Sequence, residues 1–242
     1  MCDCTRRTFL TALSATSLAA LAGCDLAPKP LIADLPNHGP HEAPYAIPSI
    51  DPATIKIPDT PKIPLPSDVG LVVPRTAWTL AGPDLAHMRP MDGVKLITFH
   101  HSGDGKPFLA DDPHDVARHL EGVRLFHRQR GMVDIAYHFA IDHAGRAWQL
   151  RHLKYEGQHV RISASGVHWN LHNIGIVILG DFSKQPVSPG QKERIVAFGT
   201  FLLKHYELPH TAIKTHQELV DTDCPGKALQ PYMLQIRQQH LL

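Results

Sequence analysis

Proline is concentrated in one stretch of the chain, and this distribution limits where a folded core can form. Eleven of the 21 prolines fall between residues 25 and 70, at positions 28, 30, 36, 40, 44, 48, 52, 58, 61, 64 and 66. Each proline lacks a backbone N–H and restricts the residue before it, so neither a helix nor a central strand tolerates this density. At about 3.1 Å per residue, such an extended segment could span on the order of 140 Å. We therefore predict a tether over residues 24–69 and a single folded domain over residues 70–242.

The first 23 residues have the features of a targeting segment. Arg6 and Arg7 precede an apolar run from Phe9 to Gly23, which is shorter than the roughly 20 residues that span a membrane. The arginine pair followed by Phe-Leu resembles a twin-arginine export signal, and LAGC, ending at Cys24, resembles a bacterial lipobox whose cysteine is lipidated. We predict a signal peptide over residues 1–23 and a lipid anchor on Cys24, which would hold the exported protein at a membrane, facing the periplasm or cell wall. An uncleaved N-terminal anchor helix is the alternative.

The cysteine count leaves one thiol without a partner. The chain has four cysteines, at positions 2, 4, 24 and 224. Processing at the predicted lipobox would remove the first two and acylate the third. Cys224 would then be the lone cysteine of an exported protein, where unpaired thiols are unusual and metal binding is one explanation.

Composition and charge favour an ordinary globular domain after residue 70. The whole chain has 24 basic and 23 acidic residues, and no block of basic residues stands out. This balance disfavours nucleic-acid binding. Most of the 18 histidines have no motif around them, so their number alone does not indicate a metal site. We expect the domain to be monomeric.

Hydrophobic periodicity predicts an α/β domain. Short apolar and β-branched runs predict strands at residues 94–101, 135–151 (two strands around a turn), 174–179 and 212–215. Asp112 followed by Pro113 predicts a helix start, and Ser188 with Gln191 resembles a capping box before a second helix. A last helix is expected after about Pro231. Helices that alternate with strands imply one central mixed β-sheet covered by helices.

Three residues that are distant in sequence lie near strand ends in this scheme. His100 lies at the end of the first predicted strand, His216 directly follows the last one, and Cys224 lies in the loop beyond. Rigid neighbouring strands can hold such side chains in a fixed geometry. Two neutral imidazoles and one thiolate suit Zn²⁺, and three protein ligands leave the fourth tetrahedral position open, as in catalytic zinc sites. By spacing alone, a histidine eight positions before a cysteine is a weak signal.

Five longer segments carry a family resemblance. They are ITFHHSG (97–103), DIAYHFAIDHAGRAWQLR (134–151), EGQHV (156–160), NIGIVILGDF (173–182) and THQELVDTDCPG (215–226). Their order and spacing resemble the zinc-dependent N-acetylmuramoyl-L-alanine amidases, the family that includes phage lysozyme-type amidases and the peptidoglycan recognition proteins. The resemblance runs from about Pro74 to near Leu229. It implies that family's single α/β domain, a Zn²⁺ cofactor, and peptidoglycan or muropeptides as partners.

The resemblance also implies roles for individual residues. His100, His216 and Cys224 match the family's zinc ligands. Tyr137 matches a catalytic tyrosine, with a core tyrosine in a strand as the alternative. Because a phenol has an ordinary pKa near 10, we expect it to donate a hydrogen bond to a developing oxyanion or to orient the water rather than act as a base. Thr222 stands where the phage enzymes have a lysine and catalytically competent recognition proteins have threonine. We expect Thr222 to donate a neutral hydrogen bond.

Four further residues receive separate interpretations. His159, in EGQHV, resembles a histidine near the substrate cleft of relatives, and a substrate contact is predicted, with a surface histidine as the alternative. His101 is expected to face away from the site because side chains alternate along a strand. Asn173 is expected to be structural, and Trp78 is expected to lie in the core, with the wall of the cleft as the alternative.

The resemblance therefore implies a peptidoglycan hydrolase that cleaves the amide bond between N-acetylmuramic acid and L-alanine by zinc-activated water. The alternatives are a non-catalytic peptidoglycan-binding lipoprotein and a zinc peptidase acting within the stem peptide. Non-lytic recognition proteins typically lack the cysteine ligand, so Cys224 favours the enzyme. Nothing in the chain resembles the His-Glu-x-x-His motif of zinc peptidases. A long tether favours intact wall over released muropeptides as the substrate.

Overall fold

The computed structural model describes residues 72–161 and 166–242. The predicted signal peptide (1–23), the lipid site at Cys24 and the predicted tether (24–69) lie outside these residues and stay predictions. Within the described part of the chain, no helix combines the length and apolar character that crossing a bilayer requires.

Five strands form one mixed sheet. They are β1 (Leu96–His101), β2 (Phe139–Ile141), β3 (Ala147–Gln149), β4 (Asn173–Ile178) and β5 (Ile213–Thr215). Their order across the sheet is β3-β2-β4-β1-β5. Strand β1 runs parallel to both β4 and β5, β2 runs parallel to β4, and β3 is antiparallel to β2. The predicted central mixed sheet is confirmed.

Three helices accompany the sheet: α1 (Pro113–Gln129), α2 (Pro189–His205) and α3 (Leu229–Gln238). Asp112 caps α1 by accepting a hydrogen bond from the backbone N–H of His114 at 2.7 Å. Helix α2 begins with the predicted capping box, in which Ser188 and Gln191 each accept from the other's backbone N–H. Helix α3 begins two residues before Pro231, because the first turn tolerates a residue without an N–H.

Apolar side chains pack on both faces of the sheet. One cluster joins β1 and β4 to α2 and α3 through Ile97, Phe99, Ile174, Ile176, Ile195, Phe198 and Met233. The other cluster joins α1 to the sheet through Val116, Leu120, Ala140, Trp148 and Val177. Trp78 is fully buried in the second cluster, as predicted. Burying a Val, Leu, Ile, Phe or Met side chain stabilises a fold by about 1.5–3 kcal/mol, so these clusters hold helices against both faces of the sheet.

The alternation of side chains along β1 separates its two histidines. His101 shares the face of Ile97 and Phe99, and its ring packs beside Phe182 with centroids 6.4 Å apart. The backbone N–H of Phe182 donates to His101 Nδ1 at 3.4 Å. His100 therefore points to the opposite face, and His101 faces away from it, as predicted.

Candidate metal centre

Three side chains from two neighbouring strands and one loop converge at one edge of the sheet. His100 is the penultimate residue of β1, His216 directly follows β5, and Cys224 lies in the loop beyond. Because β1 and β5 are adjacent and parallel, their carboxyl ends meet at the same edge. One ligand atom from each residue lies within 4.8 Å of the other two. The three residues that the sequence singled out as metal ligands are therefore neighbours in space.

A hydrogen-bonded loop carries Cys224, a free thiol, back to the sheet. The loop begins with a short 3-10 turn, in which Glu218 accepts from the backbone N–H and the hydroxyl of Thr215 at 2.8 and 2.9 Å. The backbone N–H of Gln217 then donates to the carbonyl of Cys224 at 2.9 Å. At the sheet, the backbone N–H of His101 donates to Cys224 Sγ at 3.4 Å. These bonds hold the thiol at the end of β1.

The spacing of the three donors fits a zinc ion. His100 Nδ1 lies 3.8 Å from Cys224 Sγ. Bonds of about 2.0 Å to nitrogen and about 2.3 Å to sulfur, at a tetrahedral angle, would separate the two atoms by about 3.5 Å. His216 Nε2 is buried and has no hydrogen-bond partner among the described residues, and coordination of this nitrogen would satisfy it. The residues present therefore suit the metal that the donor set favours.

Burial favours the neutral form of both histidines, which is the form that binds metals. Complete burial lowers the pKa of His100 well below 6.5, and the nearby His216 and His159 rings lower it further. Burial lowers the pKa of His216 to about 4, with a further contribution from Arg161. Burial also raises the pKa of the Cys224 thiol to about 12, against the opposing hydrogen bond from the His101 N–H. Metal binding must displace that thiol proton, so the affinity is expected to rise with pH.

His159 contacts a candidate metal ligand. Its Nδ1 lies 3.0 Å from His100 Nε2, and the two rings meet edge to face. On its other side, His159 Nε2 lies 3.2 Å from the carbonyl oxygen of Asn173. Only 6% of His159 is exposed, so the alternative of a surface histidine is wrong. The predicted substrate contact stays a prediction, and the structure adds a contact with His100.

Tyr137 lies beside His100, shortly before β2. Its ring centroid is 5.2 Å from that of His100 and 6.3 Å from that of His159. The residue is partly buried. The backbone N–H of Arg151 donates to the Tyr137 carbonyl at 3.1 Å, and the N–H of His138 donates to the Gly175 carbonyl at 2.9 Å. The backbone that carries the tyrosine ring is therefore fixed to the sheet.

Thr222 lies in the same loop as Cys224. Its Oγ1 accepts a hydrogen bond from the backbone N–H of Cys224 at 3.3 Å. A threonine hydroxyl has one hydrogen to donate and two lone pairs, so accepting this bond leaves its donor for another partner. Thr222 thus supports the turn that carries the thiol, and its predicted catalytic role stays a prediction.

Two glycines beside His159 were not singled out from the sequence. A Cβ atom on Gly157 would lie 2.3 Å from His159 Cδ2, and a Cβ atom on Gly175 would lie 2.4 Å from the same atom. The sequence did contain a signal, because glycine is disfavoured inside a strand such as NIGIVI and often marks a close approach of other groups.

Asn173, expected to be structural, is fully buried, and its Oδ1 accepts from the hydroxyl of Thr98 at 2.9 Å.

The sequence matches the family model for N-acetylmuramoyl-L-alanine amidase over residues 89–227, a range that includes all three candidate ligands. It is similar to a peptidoglycan-recognition protein of Drosophila simulans, with 26% identity over 162 residues, covering 66% of this chain and 84% of that protein. It is also similar to an N-acetylmuramoyl-L-alanine amidase of Sus scrofa, with 26% identity over 125 residues, covering 47% of this chain and 18% of that protein.

Two solved structures share the fold. One is the N-acetylmuramoyl-L-alanine amidase LysC from Clostridium intestinale URNW, with a TM-score of 0.54 and 23% identity, covering 69% of this chain and 97% of that chain. The other is peptidoglycan recognition protein-LE in complex with tracheal cytotoxin, a monomeric diaminopimelic acid-type peptidoglycan. Its TM-score is 0.55 and its identity 22%, covering 64% of this chain and 87% of that chain. These neighbours confirm the predicted fold class.

Proposed function

Because the chain belongs to the N-acetylmuramoyl-L-alanine amidase family, which its sequence matches from residue 89 to residue 227, we propose that it cleaves the amide bond between N-acetylmuramic acid and the L-alanine of peptidoglycan stem peptides. Family membership supports peptidoglycan hydrolysis or binding in general. The observation that favours hydrolysis is the convergence of His100, His216 and Cys224, whose ligand atoms lie within 4.8 Å of one another. A protein that only binds its ligand has no need for this donor set.

The cofactor in this proposal is zinc, held by His100, His216 and Cys224. Bound zinc would supply a Lewis acid beside the amide carbonyl and lower the pKa of water towards about 7. Three protein donors leave one tetrahedral position without a protein ligand, which distinguishes catalytic zinc sites from structural ones. The chain's own contribution is to hold two neutral imidazoles and one thiol in place before the metal arrives.

Tyr137 and Thr222 stabilise the reacting amide. When water adds to the amide carbonyl, negative charge develops on its oxygen, and a fixed hydrogen-bond donor lowers the barrier to this step. The 5.2 Å between the rings of Tyr137 and His100 supports the phenol as such a donor. Thr222, two residues from Cys224, donates a second, neutral bond. The amine of L-alanine then leaves, which separates the stem peptide from the glycan.

A binding function without cleavage is the second candidate. It is favoured by the similarity to proteins named for peptidoglycan recognition, one of which is solved with a muropeptide bound. The same similarity supports peptidoglycan or a muropeptide as the partner of this chain. Both candidates predict binding, so only the products distinguish them.

Product analysis tests the proposal directly. The zinc-loaded protein is incubated with intact sacculi and, in parallel, with soluble muropeptides, and the released fragments are identified by mass spectrometry. A sample treated with a chelator is the control. Free stem peptides beginning with L-alanine are expected, and only from the untreated sample. Shortened stems would indicate a zinc peptidase, and binding without products would indicate a recognition protein; either result overturns the proposal.

We also propose that the domain acts outside the cytoplasm at the end of a lipid anchor. The basis is the sequence alone: the twin-arginine-like pair Arg6-Arg7, the lipobox ending at Cys24, and the proline-rich segment 24–69. A tether with a reach on the order of 140 Å would let a membrane-anchored enzyme work on intact wall. Faster release from intact sacculi than from soluble muropeptides is the expected result.

A further inference from the structure

His159 belongs to a chain of hydrogen bonds that ends at a candidate metal ligand. The carbonyl oxygen of Asn173 can only accept, so His159 Nε2–H donates to it at 3.2 Å. A neutral imidazole carries a single proton, which makes His159 Nδ1 the acceptor that faces His100 Nε2 at 3.0 Å. His100 Nε2 therefore carries the proton of its own ring. Its Nδ1 lone pair is left on the side of Cys224 Sγ, 3.8 Å away.

Burial of both rings supports this assignment of protons. His100 has no exposed surface, and His159 has almost none. Holding a charged imidazolium in such surroundings is costly without a counter-charge. Among the described residues, no negative counter-charge acts on His159: burial lowers the pKa of His138, 5.9 Å away between ring centroids, to about 4, and burial lowers the pKa of His159 itself, which the cationic Arg151 lowers further. Neutral rings fix the direction of every bond in the chain.

The His159 ring lies in a slot that only glycine permits. A Cβ atom on Gly157 or on Gly175 would approach His159 Cδ2 to 2.3 or 2.4 Å, well inside contact distance. Gly175 belongs to β4, the strand that pairs with β1. Strand β4 therefore has no side chain at the position that the His159 ring occupies. This lets the ring lie at hydrogen-bonding distance from His100.

The backbone on both sides of His159 is also fixed. Before it, the guanidinium of the buried Arg151 donates to the carbonyl of Glu156 at 2.5 Å and to Gln158 Oε1 at 2.9 Å. After it, Asn170 makes two bonds with Val160: its Oδ1 accepts from the N–H at 3.1 Å, and its Nδ2 donates to the carbonyl at 2.6 Å. The loop therefore delivers the ring in one orientation.

We propose that His159 is a positioning residue, which fixes the tautomer of His100 so that Nδ1, and not Nε2, is presented to the metal. Hydrogen bonds of this kind orient ligating histidines and raise their basicity. The inference rests on the proposed function in taking His100 as a zinc ligand. It differs from the predicted substrate contact because His159 acts through His100 from a buried position.

Two variants distinguish the effect of the hydrogen-bond acceptor on zinc affinity from the effect of the ring's volume. In His159→Asn, Oδ1 takes the place of Nδ1 and keeps an acceptor for His100; in His159→Leu, the acceptor is lost and the side chain is of similar width. Zinc affinity is measured by competition with a chromogenic chelator, and folding is checked by circular dichroism. The leucine variant is expected to bind zinc about 10- to 100-fold more weakly than the wild type. The asparagine variant is expected to stay close to the wild type.

The tautomer itself is read from ¹⁵N-histidine NMR spectra of the wild-type protein, before and after zinc is added. His100 is expected to carry its proton on Nε2 in both spectra, and its Nδ1 resonance alone is expected to shift with zinc. A proton on Nδ1 before zinc is added, or wild-type affinity in the leucine variant, would overturn the inference. So would equal losses in both variants. A wild-type protein that binds no zinc would instead overturn the proposed function, while the metal-free spectrum would still decide the tautomer.

Discussion

His100 Nδ1 and Cys224 Sγ lie 3.8 Å apart although 124 positions separate them in the chain. The distance is set by two rigid parts of the fold. Strand β1 places the histidine, and the backbone N–H of His101, the next residue on that strand, holds the thiol by a 3.4 Å hydrogen bond. The sheet therefore fixes the distance between the two donor atoms. Loss of either side chain should remove the candidate metal site without unfolding the domain.

Cys224→Ala is expected to abolish both zinc binding and amide hydrolysis. The change removes the only sulfur donor of the three candidate ligands and leaves two imidazoles, too few for a stable zinc site. Metal content is measured by elemental analysis after dialysis, and activity by release of stem peptides. Thr222→Ser, which alters the same loop but keeps every donor, is the control. Stoichiometric zinc and full activity in the alanine variant would show that the assignment is wrong.

Tyr137→Phe is expected to lower kcat by about 100- to 1,000-fold while the zinc content stays unchanged. The change removes only the phenol oxygen, and the loss of one donor to a developing oxyanion typically has this effect. Steady-state kinetics on a defined muropeptide give kcat and KM separately. A rise in KM alone would assign Tyr137 to substrate binding, and a loss of zinc would assign it to the metal site.

Thr222→Ala is expected to reduce activity about tenfold, and Thr222→Ser to restore most of it. Thr222 Oγ1 accepts from the Cys224 N–H at 3.3 Å, and a neutral hydrogen bond contributes about 0.5–1.5 kcal/mol. Serine keeps the hydroxyl and loses only a methyl group. Measuring kcat/KM for both variants checks the expectation. Equal activity in all three proteins would leave the hydroxyl without a role in the reaction.

Acid is expected to destabilise the metal-free domain in part through His127, which is not a candidate ligand and whose ring lies 5.8 Å from that of Tyr137. Burial lowers the pKa of His127 to about 3, with Arg151 and Arg130 adding to the effect, whereas an unfolded histidine has a pKa near 6.5. Between these values the unfolded chain binds a proton that the folded chain does not. The unfolding free energy therefore falls as pH falls through this window, by up to about 1.4 kcal/mol per pH unit.

The variant His127→Asn isolates this contribution. Its Oδ1 can replace Nδ1 of His127 in accepting from the Ala136 N–H, a 3.1 Å bond, and it does not titrate. Urea unfolding with a chelator present is measured at pH 7.5 and pH 5. The stability advantage of the wild type over the variant is expected to shrink by about 2 kcal/mol at the lower pH. An advantage that does not change with pH would contradict the neutral, buried histidine.

Cys24→Ala is expected to release the protein from membranes without changing the specific activity of the folded domain. The prediction follows from the lipobox-like sequence and from the position of Cys24 before the proline-rich segment. Labelled fatty acid incorporation and fractionation of cells report the anchor, with Cys224→Ala as a cysteine variant that should stay lipidated. Unlabelled wild-type protein would rule out the lipid.

Much of the fold followed from local patterns. The caps at Asp112 and at Ser188 with Gln191 were predicted correctly because each depends on contacts within a few residues. The expected strands over residues 135–151 were too long. The Ala136 carbonyl accepts from the N–H of Gln158, which lies in a loop and not in a strand, whereas His138 still bonds to Gly175 of β4 through its N–H. No local pattern carries such distant partners.

The sequence by itself determined the order of the elements and the identity of three donors suited to zinc, because residue type and spacing along one chain are enough for these. The tertiary structure decided which donors meet and how they are oriented. The sequence indicated His159 only through the EGQHV motif. Its contact with His100 arises because β1, β4 and the 156–160 loop meet around Gly157 and Gly175. Such a contact depends on three segments packed together, so a one-dimensional pattern does not specify it.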